Sequence, residues 1–127
     1  MSQYVDSGTV SFAAAEAIPI HSLVTLENTG TVSVNGLAER PIGVAESQAN
    51  AAGDMIAVRL FNAGGTMKVI AVEALAIGAT LYTEAAGKVQ DTAQATSHPI
   101  GVAMRAATAD GDVIEMIPLH YGGPAAS

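Results

Sequence analysis

The side chains best able to do chemistry at neutral pH are three histidines, His21, His98 and His120. Imidazole serves as a general base or a metal ligand, but these three do not stand at zinc-ligand spacing. Carboxylates are more numerous, 12 in all, and two are placed alike: Asp54 follows Gly53 and Asp112 follows Gly111, each just before an apolar stretch. An aspartate in such a turn caps backbone N–H groups, and that structural role is the expectation for Gly53, Asp54, Gly111 and Asp112. Asp110-Gly111-Asp112 has the start of a calcium loop without the remaining ligand ladder. Gly64-Gly65-Thr66 has neither the spacing nor the lysine of a phosphate loop. There is no Gly-x-Ser-x-Gly elbow. The lack of cysteine removes thiolate nucleophiles, disulfides and thiolate metal sites. The expectation is a non-enzymatic chain with no cofactor and no metal.

Charge points the same way. Twelve acids against five bases give a formal charge of −7, and an acidic surface repels both polyphosphate and anionic lipid. The bases, Arg40, Arg59, Lys68, Lys88 and Arg105, are scattered along the chain and form no patch in sequence. No apolar run approaches the roughly 20 residues that span a bilayer. Met1-Ser2-Gln3-Tyr4 has neither the basic nor the apolar region of a signal peptide, so the product is expected to stay where it is made. Neither nucleic acid nor membrane is expected as a partner. Aromatics are only 4% of the chain and Trp is absent. A core of small and β-branched side chains is therefore expected to gain part of its stability against copies of itself.

The elements that must position these residues come in two sets. Pro41-Ile42-Gly43-Val44-Ala45 recurs as Pro99-Ile100-Gly101-Val102-Ala103, an offset of 99 − 41 = 58. Gly53-Asp54 recurs as Gly111-Asp112 at the same offset. Leu23-Val24 matches Leu81-Tyr82, Gly30-Thr31-Val32 matches Gly87-Lys88-Val89, and Ala17-Ile18-Pro19 matches Ala76-Ile77-Gly78. Landmarks in one order with single-residue slips identify a diverged duplication. No histidine is repeated, so the duplicated frame does not need imidazole.

Each copy reads as five short strands: 10–14, 22–26, 31–34, 41–45 and 55–61, then 66–72, 79–83, 88–90, 99–103 and 113–119. Short strands at such spacing, separated by Gly, Asn or Pro, mark a mainly β sandwich or barrel. Asn35-Gly36 and Gly64-Gly65 are further turn signals. Segments 45–52 and 103–109 have helix-forming composition but are too short to hold a helix alone, and loops or single turns are expected there.

Strand alternation assigns faces. Ile56, Val58 and Leu60 share the core face, opposite Ala57, Arg59 and Phe61. In the second copy, Ile114, Met116 and Pro118 face the core, opposite Glu115, Ile117 and Leu119. Phe61, Ile117 and Leu119 are thus apolar on an outward face, which makes them candidates for an oligomer interface. Gly43 and Gly101 lie inside equivalent strands, where glycine marks a close backbone approach. The expected approach is at the contact between the two halves.

Ala17-Ile18-Pro19-Ile20-His21-Ser22-Leu23-Val24, then Pro41-Ile42-Gly43-Val44-Ala45, then Gly53-Asp54 and an alternating strand resemble the capsid decoration, or head cement, proteins of tailed bacteriophages. His21 stands where that pattern often has glycine. The resemblance runs from about Tyr4 to Leu119, through both copies. It implies a small β-barrel or β-tulip-like single domain that forms a homotrimer, binds the major capsid protein on the outer surface of the mature head, and reinforces the lattice. It also implies assembly in the host cytoplasm and residence in the virion. The organisation expected is an N-terminal arm at 1–11, a duplicated β domain at 12–120 (copies 12–62 and 66–120) and a breaker-rich tail at 121–127. In the arm, Gln3, Tyr4, Val5 and Asp6 are candidates for adding a strand to a capsid partner.

Two other readings compete. One is a carbohydrate- or surface-binding β module of a phage fibre or adhesin, disfavoured by the scarcity of aromatic platforms. The other is a small hydrolase or isomerase, which needs a histidine and a carboxylate meeting in a cleft.

Overall fold

A computed structural model describes residues 8–63 and 65–118. Among these residues ten strands form in chain order: β1 (Thr9–Ala13), β2 (Leu23–Leu26), β3 (Val32–Val34), β4 (Gly43–Ala45), β5 (Met55–Leu60), β6 (Met67–Ile70), β7 (Thr80–Thr83), β8 (Val89–Gln90), β9 (Pro99–Ala103) and β10 (Val113–Pro118). They make two antiparallel five-stranded sheets of identical order, β1-β5-β4-β2-β3 and β6-β10-β9-β7-β8. Among the described residues there is no α-helix, and Ala85–Gly87 forms a single 3₁₀ turn. Both segments of helix-forming composition are loops, because the neighbouring strands tie down their backbone: Glu46 N–H donates to Ala57 O and Met104 N–H to Glu115 O.

Neither sheet closes into the expected barrel. The outer strands of each half approach through one parallel bridge, Ala14 with Val32 and Ala71 with Val89, so each sheet curls without becoming a continuous ladder. β3 and β8 are too short, three and two residues, to carry a second closing pair.

The register refines the duplication. Phe12 pairs with Ile56 as Val69 pairs with Ile114, and Val24 pairs with Gly43 as Leu81 pairs with Gly101. The first-half strands up to β3 are therefore offset by 81 − 24 = 57, and β4 and β5 by 101 − 43 = 58. The extra residue lies in the loop that joins β8 to β9. Val24, not Leu23, is the counterpart of Leu81. Likewise Ile18, which bridges Ala49, corresponds to Leu75, which bridges Ala107. Ile77 shares letters with Ile18 but is 70% exposed, whereas Ile18 and Leu75 are buried. Burial, not identity, sets the true alignment.

Each half encloses a core. Ala14, Ile18, Val24, Val32, Ala45, Ala49, Ile56 and Val58 fill the first. Met67, Val69, Ala71, Leu75, Leu81, Val89, Ile114 and Met116 belong to the second, together with Leu23 and Val44 from the first half. Leu23 and Val44 are paired across β2 and β4 and point away from the first core, so alternation sends them into the second. Phe61, just beyond β5 on that same face, packs half-buried against the second core. The two halves therefore stack front to back, not front to front.

Candidate functional site

The repeated turn residues come first. Asp54 Oδ2 accepts from the Asn50 N–H at 2.8 Å and the Ala51 N–H at 3.2 Å. Asp112 Oδ2 accepts from the Thr108 N–H at 2.8 Å, the Thr108 hydroxyl at 2.9 Å and the Ala109 N–H at 3.2 Å. These bonds to Thr108 and Ala109 hold the Asp112 carboxyl below its ordinary pKa. Gly53 and Gly111 beside them have φ of 95° and 93°, with open space where a Cβ would stand.

Gly43 and Gly101 serve a different contact. A Cβ on Gly43 would collide with the Arg59 carbonyl oxygen and lie 2.9 Å from its carbon. One on Gly101 would lie 2.5 Å from the Ile117 oxygen. Both approaches are to the neighbouring strand of the same sheet, not across the halves. The residue that brings the halves close is Gly87, where a Cβ would meet Ser22 Cβ at 2.9 Å and Leu23 O at 3.0 Å. Around it, Gly87 N–H donates to Asn35 O at 2.9 Å and the Thr83 hydroxyl to Leu37 O at 2.7 Å, while His98 Nε2 meets Ala38 O at 3.2 Å. His98 thus belongs to the inter-half seam.

Of the apolar candidates, Ile117 is 50% exposed on the outer face of the second half, beside its cross-strand partner Val102. Phe61 is engaged by the second core within the chain. Leu119, His120 and the arm residues Gln3, Tyr4, Val5 and Asp6 lie outside the described residues.

A further group, dispersed in sequence, gathers where the halves meet. A cleft of about 450 Å³ is lined by His21, Glu46, Arg59, Thr66, Lys68 and Glu115, with Val44 and Met67 as its apolar wall. Arg105 lines an adjoining depression shared with His21, Lys68 and Glu115. Alternation explains the convergence. Arg59 shares the outer face of the first sheet with its partner Val44, while Lys68 and Glu115 are registered partners between buried neighbours on β6 and β10. Glu115 accepts from the Thr66 hydroxyl at 3.2 Å and has Arg105 Nε at 3.6 Å.

His21 enters this cleft from a turn in which its φ is 72°. Its N–H donates to Ala45 O at 2.8 Å, as that of Gly78 (φ 87°) does to Ala103 O at 2.8 Å. His21 therefore occupies a left-handed position that the second copy fills with glycine. Burial, then the Lys68 charge, push its imidazole pKa down, against an opposing pull from Glu46. Glu46 acts on the ring through its charge, and no hydrogen bond to a described carboxylate accompanies it. Among the described residues no group of three or more His, Cys, Asp or Glu is placed to hold a metal, and no helix is long and apolar enough to cross a membrane. Sequence reasoning missed the cationic cleft because its members sit at unrelated positions of the repeat: the counterpart of Arg59 is Ile117.

Comparison with known proteins accords with this frame. Residues 2–118 match the family model described as phage cement protein. No curated protein matches the sequence. The fold is similar to the crystal structure of the head fiber gp8.5 N base of bacteriophage phi29, with a TM-score of 0.69 over 90% of this chain and 97% of that chain, at 19% identity.

Proposed function

This chain belongs to the phage cement protein family, and from that membership we propose that it is a non-enzymatic capsid decoration protein, bound to the major capsid protein on the outer surface of the mature head. The observation that carries the reading is the reach of the family match, which spans both copies of the duplicated frame. What repeats is framework: glycine approaches, aspartate turns and apolar strand faces. The acidic balance of −7 suits a solvent-facing role on a particle and opposes contact with nucleic acid or membrane.

The subunit acts as a homotrimer, assembled in the host cytoplasm and retained in the virion. Ile117, which leaves half of its surface uncovered, is a contact residue together with Leu119. The arm ahead of β1, through Gln3, Tyr4, Val5 and Asp6, adds its backbone to a capsid strand, whereas Thr9, Val10 and Ser11, expected in the arm, pair with β5 as part of the body. The sugar-binding alternative gains nothing from the described aromatics, since Phe12, Phe61 and Tyr82 are all half-buried.

The test is saturable binding to purified expanded heads, with little to unexpanded procapsids. Equal binding to both, or to neither, overturns the expansion-specific function. Solution mass by light scattering reads the oligomer, and a strict monomer at head-binding concentrations overturns the trimer.

A further inference from the structure

The chain is strongly acidic, yet its cations are not evenly spread over the surface. Arg59, Lys68 and Arg105, three of the five, line the cleft and its adjoining depression, against only Glu46 and Glu115 of the 12 acids. The cleft region carries +3 − 2 = +1, and the rest of the chain is left with two cations and ten acids, −8. Arg105 is occupied in part by Glu115 at 3.6 Å. Lys68 has no described carboxylate within ion-pair distance, although Glu115 is its registered partner across the ladder. The cleft also has an apolar wall, Val44 and Met67.

We propose that this inter-half cleft is a docking site for a short acidic peptide segment of a protein partner, its carboxylates received by Lys68 and Arg105 at the rim. A short segment suits a volume of about 450 Å³. A long polyanion does not, because the rest of the chain carries a net charge of −8, which repels it. The peptide displaces Arg105 from Glu115 or bridges to Lys68. In doing so it brings negative charge towards His21, whose pKa is lowered by partial burial first and by the neighbouring Lys68 charge second.

The experiment uses the full-length chain with isotope-labelled backbone, titrated at low salt with a hexa-glutamate peptide, a hexa-glutamine peptide and a short single-stranded DNA oligomer. The expected result is saturable shifts centred on His21, Lys68 and Glu115 with the glutamate peptide alone, and a rise in the His21 imidazole pKa on saturation. Lys68→Glu with Arg105→Glu then weakens binding by about tenfold or more, since like charges meet at the site. Both side chains are exposed, and an unchanged melting temperature verifies that the double variant is folded. Shifts that map elsewhere, undiminished binding by the double variant, or stronger binding of the DNA oligomer overturn the proposal. The probes contain no capsid, so this outcome is independent of the head-binding test.

Discussion

Leu23 and Val24 are adjacent in β2 and both fully buried, yet they belong to different cores: Val24 to the first half, Leu23 to the second. One strand therefore nails the halves together. The counterpart of Leu23 in the second copy is Thr80, which is exposed, so the arrangement is not reciprocal.

The first prediction concerns that strand. Leu23→Ala removes a fully buried side chain at the seam and is expected to destabilise by about 2–5 kcal/mol. It is also expected to speed amide exchange in β6 and β10 more than in β1. Val24→Ala has the opposite regional pattern. Urea unfolding with hydrogen exchange measures both, and equal effects on the two halves contradict the division of cores.

His21 and Gly78 occupy equivalent left-handed positions. His21→Gly relieves backbone strain and is expected to stabilise by about 1 kcal/mol, while Gly78→Ala loses a similar amount. The space around Gly78 is open, so its loss isolates the backbone effect. Chemical denaturation midpoints report both signs.

Gly43 tests sterics without a backbone complication, since it adopts no positive φ. Gly43→Ala drives a methyl into the Arg59 carbonyl and is expected to cost about 1–3 kcal/mol or more, as overpacking does. Gly30→Ala, at an exposed turn with nothing within 4 Å, is expected to lose only about 1 kcal/mol from its φ of 88°. A smaller loss at Gly43 than at Gly30 would contradict the close approach.

Acid dependence follows from Asp112 and His21. The folded-state pKa of Asp112 is depressed by its Thr108 and Ala109 bonds. Its contribution is thus full above the unfolded carboxyl value of about 3.9 and lost as pH falls through the lower folded value. The His21 pKa is also lowered in the folded state. Because the unfolded chain binds that proton more readily, stability falls as pH drops below about 6.5 and stops falling below the folded value. Asp112→Asn should flatten the acidic limb, and His21→Gly the limb just below neutrality, in denaturation series across pH.

Much of the fold was legible in sequence because it rests on period-two alternation and glycine punctuation, both local. Ile56, Val58, Ile114 and Met116 declare their faces by spacing alone, and all four are buried. The candidate surfaces were less legible. Phe61 and Ile117 look alike as outward apolar residues, yet one packs on the second core and the other is half exposed. Only the stacking of one half on the other separates them.

By itself, then, the sequence determined ten strands, a duplicated frame, aspartate turns and a family, since each is written in short-range pattern. The tertiary structure decided the register, the division of Leu23 from Val24, and the gathering of Arg59, Lys68 and Arg105 about one cleft. These depend on how two curled sheets stack. The stacking is set by shape and burial between residues far apart in the chain, and no local pattern records it.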